Sequence, residues 1–449
     1  MRPSVANLLR NDISALGVAL ATACGLAFVG LLALELLGVL ENPYTGLVTF
    51  VLVPACFLVG LLLIPVGLLI GRRKARTGVP AWPRIDLNDP NIRRTMLFVA
   101  GATAVNLAIV SVASYGAVEY TESPQFCGQV CHEPMEPEYA SYQAWPHARV
   151  ACAACHVGPG PGALLESKIA GTRQLLHVAT GRIARPIPSP IESLRPARET
   201  CERCHWPEKF HGERIRTIRE YAADETNSET VTTLRLHVGG GNRTLGVGTG
   251  IHWHMNLDNE IEYIAIDPKR LTIPYVRLRD RNGTVREFVV AGTTPEQLAA
   301  GTRRRMDCMD CHNRPAHTFH ATPARAVDAA IADGRIPREL PFVRREAVGA
   351  IGAEYPDRGA ALTAIAQRLE EFYASRGSAD ARLVSRAVVA AQDVWSRNVF
   401  PRMNVTWGTY PSHLGHLDAP GCFRCHDDQH KASDGSVIRQ DCELCHTIE

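Results

Sequence analysis

The sequence has little net charge. Its 48 Lys and Arg nearly balance 46 Asp and Glu, for a formal net charge of +2, so no polyelectrolyte partner such as a nucleic acid is implied. No Gly-rich phosphate loop or hydrolytic triad stands out, and Gly239-Gly-Gly241 reads as a turn between strands. Aromatic residues make up only 6% of 449 residues, so large rings alone do not fill the core. Cysteine for a disulfide framework is missing too. Of 14 cysteines, twelve sit in close pairs, and the other two, Cys24 and Cys56, lie within apolar runs as small buried side chains. The cysteine count therefore does not by itself report an oxidising compartment.

The twelve paired cysteines are followed in every case by histidine. Five stretches have two residues between the thiols: Cys152–His156, Cys201–His205, Cys308–His312, Cys422–His426 and Cys442–His446. The first, Cys127-Gly-Gln-Val-Cys131-His132, has three. Two thiols at this spacing can add across the two vinyl groups of a haem, and the next histidine then lies under the iron as an axial ligand. A zinc site or a disulfide needs no histidine directly after every second cysteine. Six c-type haems are expected, and cofactors of that size account for the sparse aromatics.

Three uncharged apolar runs precede or lead into these motifs. Ile13–Leu34 continues past Glu35 to Leu40; Asn42–Gly71 contains Pro54 and Pro65; Thr95–Val118 runs almost directly into the first motif. Each is long enough to cross a bilayer as a helix, with expected spans of about 13–40, 47–70 and 95–118. The prolines predict a second helix that is kinked or begins late. The loop Arg72–Arg94 carries seven basic residues and should be cytoplasmic, which puts every haem motif in the periplasm of a bacterial inner membrane. The first run lacks a clear small-residue cleavage site and reads as an uncleaved anchor. Glu35, near the outer end of the first helix, is either a functional carboxylate or one that snorkels to the interface.

The expected fold is a membrane-anchored multihaem cytochrome c. It has three N-terminal transmembrane helices and a mainly α, loop-rich haem domain with a small antiparallel β insertion. Residues 1–118 form the anchor, 119–229 a first haem module with three haems, 230–293 the β insertion and 294–449 a second module with three more. Gly158-Pro-Gly-Pro-Gly162 is a loop, and Ala163–Thr180 a helix. Asp280-Arg-Asn-Gly283 before Val285–Val290 signals a hairpin, and Ala324–Ala332 and most of 359–399 read as helices.

Of 17 histidines, eleven lie outside the motifs, enough to give every iron a second protein ligand. An iron with both axial positions filled passes electrons and binds no substrate. His147, nine residues before His156, can reach a neighbouring haem. His317 and His430 closely follow motifs, His413 and His416 precede the fifth, and His211 follows the third. His252 and His254, in Ile251-His-Trp-His-Met255, would share one side of a strand and supply one ligand. His177, His237 and His320 read as ordinary packed or exposed side chains. Met135 is a candidate for the first iron, where a thioether would raise the potential.

A membrane helix followed by Cys127–His132 with Met135, and then by His147-Ala-Arg-Val-Ala-Cys152-Ala-Ala-Cys155-His156, resembles the NapC/NirT family of membrane-anchored multihaem quinol dehydrogenases. Arg195-Pro-Ala-Arg-Glu-Thr-Cys201, Met306-Asp-Cys308-Met-Asp-Cys311-His312-Asn-Arg-Pro315 and Gly421-Cys-Phe-Arg-Cys425-His426 resemble its longer members, and the layout is similar to inner-membrane cytochromes of metal-respiring bacteria. The resemblance implies oxidation of menaquinol near the first haem and delivery of electrons to a periplasmic carrier cytochrome or reductase, as in anaerobic respiration. It departs in having three helices, six haems and the longer first spacer. Lys168 matches a lysine that lies near the quinol in small members, but no acid follows it on the helix. Glu133, Glu136 and Glu35 are the other proton acceptors considered. Two further readings remain: a terminal reductase with one open haem, and a non-catalytic electron-carrying subunit of a larger respiratory complex.

Overall fold

The computed structural model describes residues 12–40, 42–74, 88, 90–191, 195–206, 210–240, 249–256, 258–377 and 380–449. The chain divides into two compact units, Met1–His132 and Glu133–Glu449. In the first, α1 (Asp12–Leu36), α2 (Val53–Lys74) and α3 (Pro90–Glu122) supply three spans apolar enough to cross a membrane, Asp12–Leu36, Tyr44–Gly67 and Met96–Glu122. Leu26, Leu62, Leu97 and Phe98 all point outward. Apolar rings and branches are left uncovered there because lipid is the solvent.

Small residues join α1 to α2. A Cβ on Gly17 would stand 2.7 Å from the carbonyl of Gly60, and one on Gly60 would stand 2.7 Å from the amide of Ala21. The backbones thus approach as closely as membrane helices with small residues at their seam allow. Ser14 Oγ adds a hydrogen bond to the Ile64 carbonyl at 3.0 Å. The second span begins as Asn42 caps a short turn, Pro43–Leu47, followed by a π-helical turn, Val48–Leu52, and then α2. Pro54 has no N–H to return to the preceding turn, and the π turn absorbs the break. The basic loop on which the expected orientation rests lies mostly outside the described residues, as do Arg2 and Arg10.

The second unit starts with α4 (His132–Gln143) and α5 (Pro161–Ala179). Five strands follow in the middle of the chain: β1 (Arg214–Tyr221), β2 (Glu229–Leu236), β3 (Glu260–Ala265), β4 (Tyr275–Arg279) and β5 (Val285–Val290). Three short ones come later: β6 (Thr302–Arg305), β7 (His430–Ala432) and β8 (His446–Ile448). They form two antiparallel sheets, β1-β2-β8 and β6-β3-β4-β5-β7. The β region is therefore not confined to 230–293. It begins at Arg214, and the C-terminal segment returns to it. An exposed strand edge offers unpaired N–H and C=O groups. β7 covers the edge of β5 (Phe288↔Ala432), and β8 covers that of β2 (Leu236↔His446). The expected hairpin forms with Arg279 opposite Val285, and Gly283 takes the positive φ (81°) that the turn needs.

Helices α6 (Pro323–Ala332), α7 (Val343–Ile351), α8 (Arg358–Arg376) and α9 (Ala381–Asn398) enclose the main apolar core of this unit. Ile336, Leu340, Ile351, Ile365, Leu369 and Trp395 are sealed from solvent, packed against buried alanines such as Ala330, Ala347 and Ala387. This stretch holds no cysteine and no histidine, so it is held by ordinary burial. Leu369→Ala should cost about 3 kcal/mol through the cavity it leaves. Chemical denaturation followed by far-UV circular dichroism should show an earlier midpoint with the slope unchanged.

Candidate functional site

The second to sixth motifs each fold as one tight turn. Cys152–His156 and Cys308–Cys311 are single α turns. The amides of His205 and His312 bond the carbonyls of Cys201 and Cys308 at 2.8 Å, and that of His426 bonds Cys422 at 3.0 Å. The first motif differs, since Phe126–Val130 is a π-helical turn. A π turn brings residues five apart into the relation that an α turn gives residues four apart. The extra spacer between Cys127 and Cys131 is thus absorbed by the backbone. The side chain of His132 lies outside the described residues.

The other five motif histidines each face a second imidazole. Ring centres lie 6.3 Å apart for His156 and His317, 6.1 Å for His205 and His147, 6.3 Å for His312 and His252, 5.8 Å for His426 and His254, and 6.1 Å for His446 and His416. Two imidazoles binding one metal from opposite sides, each nitrogen about 2 Å from it, have ring centres about 6 Å apart. Among the described residues, no three His, Cys, Asp or Glu side chains converge on one point. A two-ligand gap suits an iron whose four remaining positions are filled by a macrocycle, and does not suit tetrahedral zinc.

Hydrogen bonds at the far nitrogen hold the rings in place. Nδ1 of His147 meets the carbonyl of Pro315 (3.1 Å), that of His252 meets Val238 (3.0 Å), that of His254 meets Ile251 (2.7 Å), and that of His317 meets Glu138 (2.9 Å). His426 does the same with Arg439 at 2.9 Å. A carbonyl at Nδ1 fixes the tautomer and leaves Nε2 as the basic nitrogen. Burial, and then the facing imidazole, hold His156, His312 and His446 below the usual histidine range; His254 is lowered by burial and by His426. The neutral form is the one that coordinates metal.

Several candidates fall outside this pattern. His413 is buried with Nε2 on the Lys269 carbonyl (3.1 Å), and burial with Arg424 beside it holds the ring down to about 4. His430 is spent at both nitrogens, on Asp427 (2.8 Å) and on the Ile273 carbonyl (2.7 Å). Neither keeps Nε2 free. His211 lies in the loop before β1. His252 and His254 do not lie on a strand. They sit on a 3₁₀ turn, Ile251–Met255. Residues two apart there diverge by about 120°, so each serves a different partner, where a strand would have offered one. Met135 lies in α4. Of the acids, Glu133 pairs with Arg185 (2.9 Å) and Glu136 with Arg358 (3.3 Å). Lys168 lies along α5, and Glu35 near the end of α1.

The motifs follow one another in space within the second unit. The turn of the third motif packs against those of the second and the fourth, and His416 stacks on Phe423 of the fifth. Spacer residues lock two of these neighbours. Arg424, buried between Cys422 and Cys425, donates to the carbonyls of Asp310, Arg270 (3.0 Å) and Gly421 (2.8 Å). The carboxylate of Asp310, itself a spacer of the fourth motif, accepts from Tyr263 and Arg270. Burial and Asp310 push the Tyr263 phenol up, which keeps it a donor.

Sequence reasoning overlooked these arginines, and also Arg314. The Arg314 guanidinium grips Glu138 at 2.7 Å, donates to the His317 carbonyl at 2.6 Å and lies 4.0 Å from the Tyr410 ring centre. Both partners are nearly buried, and the Glu138 backbone also carries His317. Glu138→Ala leaves a buried charge unpaired and should lower stability by about 3–5 kcal/mol. A fall in the thermal midpoint, with one haem's spectrum perturbed, would be the measured outcome.

Residues 90–187 match the N-terminal region of the NapC/NirT cytochrome c family. The chain is 42% identical over 453 residues to the cytochrome c-type protein ImcH of Geobacter sulfurreducens, covering 99% of this chain and 89% of that one. No solved structure matches it. Covalently held haem c and electron transfer follow from that kinship and from the motif turns. This membrane-anchored chain belongs to the NapC/NirT family of cytochromes c.

Proposed function

We propose that the protein is a quinol dehydrogenase of the bacterial inner membrane, with six c-type haems on the periplasmic side. It takes electrons from menaquinol and passes them to a soluble periplasmic cytochrome or reductase. The observation that carries this reading is the set of five facing imidazole pairs about 6 Å apart. With both axial positions closed, an iron has no place for a substrate and exchanges electrons only. That favours a relay over a terminal reductase.

When bound, the haems supply one-electron acceptors in series. The chain's own residues do the rest. Cys152 and Cys155 would hold the second haem between His156 and His317. Cys201 and Cys204 would hold the third between His205 and His147. Cys308 and Cys311 would hold the fourth between His312 and His252, and Cys422 and Cys425 the fifth between His426 and His254. Cys442 and Cys445 would hold the sixth between His446 and His416. Cys127, Cys131 and His132 would hold the first, directly after α3 in the chain. Packing of the second, third and fourth motif turns, the bond from Arg424 of the fifth motif to the Asp310 backbone of the fourth, and His416 on Phe423 support an order that runs from the second to the sixth.

The test is spectroscopic and kinetic. Low-temperature EPR of the oxidised full-length protein should show no high-spin signal from the second to sixth haems. His416→Ala should create one high-spin haem, and His416→Met should keep it low-spin at a raised potential. A menaquinol analogue should reduce the wild-type protein in detergent. Stoichiometric high-spin iron in the wild type would favour the terminal reductase. Failure of quinol to reduce it would favour a non-catalytic electron-carrying subunit.

A further inference from the structure

The outer ends of the three membrane helices meet beside the first haem motif, and one carboxylate there has no partner. Oε2 of Glu35 is shut off from solvent and makes no hydrogen bond. An oxygen buried only for structure would be paired. The Tyr120 phenol bonds to the Leu47 backbone and lies within electrostatic range of Glu35, Cys131 of the first motif and Tyr44. Its ring lies 6.1 Å from that of Phe50 and 5.4 Å from that of Phe126. Two glycines leave room for these rings: a Cβ at Gly46 would come within 2.3 Å of Tyr120, and one at Gly116 within 2.5 Å of Phe50. Tyr44 and Leu36 nearby are exposed. The other acids considered are already engaged, Glu133 by Arg185 and Glu136 by Arg358.

We propose that Glu35 is the proton acceptor for a quinol headgroup seated against the Tyr120–Phe126 aromatic face. This rests on the quinol dehydrogenase reading and names the site at which it operates. An aromatic wall suits a flat ring, and an unpaired carboxylate suits the hydroxyl it carries. Each quinol O–H bond breaks in turn, and its proton goes to Glu35 and then to water on the outer side. The two electrons leave one at a time to ferric c-type haem, the oxidant, and quinone remains. Tyr120 is a positioning residue whose ring forms part of the aromatic face.

The experiment uses the full-length holoprotein in nanodiscs, with menaquinol-1 as reductant and 2-heptyl-4-hydroxyquinoline N-oxide as a binding probe. Wild type, Glu35→Gln, Glu35→Asp and Tyr120→Phe are compared for haem content, dithionite reduction, probe affinity and redox-difference infrared spectra. Glu35→Gln should keep haem content and dithionite reduction, and bind the probe within about 3-fold of wild type. It should slow menaquinol-driven reduction about 100-fold, as loss of a general base does. It should also lose the carbonyl stretch of a protonated carboxylic acid seen on quinol oxidation. Glu35→Asp should recover part of the rate. Tyr120→Phe should weaken the probe more than it slows the bound reaction. If Glu35→Gln reacts at the wild-type rate, or keeps the infrared band, Glu35 is not the acceptor and the quinol reading stands without it. If the wild type itself is not reduced by menaquinol, the quinol reading fails and takes this assignment with it.

Discussion

Two imidazoles must stand about 6 Å apart, edge nitrogens inward, before an iron can sit between them. That distance recurs five times, and the rest of the second unit is built to keep it. In each pair one ring comes from a motif and the other from a segment remote in sequence, as with His147 and His205 or His317 and His156. Every such pair is a long-range staple. Four of the five partner rings are held by a backbone carbonyl at Nδ1, so their orientation does not wait for the metal. The ring planes vary, from 7° between His252 and His312 to 83° between His254 and His426. The spacing is therefore constrained more tightly than the twist.

Polar clamps hold the motifs while an apolar scaffold stands apart from them. Arg424 reaches from the fifth motif into the backbone of the fourth, and Arg314 with Glu138 carries His317. A buried guanidinium is costly unless fully bonded, and each of these spends its donors on carbonyls or a carboxylate. In helices α6 to α9 the polar clamp is smaller: Asp328 of α6 pairs with Arg344 of α7 at 2.9 Å beside the apolar core. Their core of leucine, isoleucine, alanine and Trp395 is closed without any ligand-bearing residue. The short strands β7 and β8 tie the last two motifs back to sheets formed much earlier in the chain.

The membrane unit follows a different solvent. Apolar side chains point outward, and glycines at the α1–α2 seam bring backbones together where large side chains would gain nothing over lipid. The π turn ahead of Pro54 and the π turn at Cys127 have the same cause, one residue too many for an α ladder. In the first case a missing N–H creates the mismatch, and in the second the longer thiol spacing does.

The sequence by itself determined the three spans, the six thiol–histidine turns and the β4–β5 hairpin. Each is local: a run of apolar residues, a spacing within one turn, or a glycine at a positive φ. It also supplied more histidines than irons, and could not choose among them. His413, His416 and His430 look alike as letters, yet of the three it is His416 that faces a motif ring, while His413 and His430 are bonded at Nε2 to the carbonyls of Lys269 and Ile273. His252 and His254 serve two partners because their backbone coils as a 3₁₀ turn where a strand was expected. Those choices depend on carbonyls and rings more than a hundred residues away in several cases. Only the tertiary structure brings such groups within hydrogen-bonding distance, so only it decides which imidazole is a ligand.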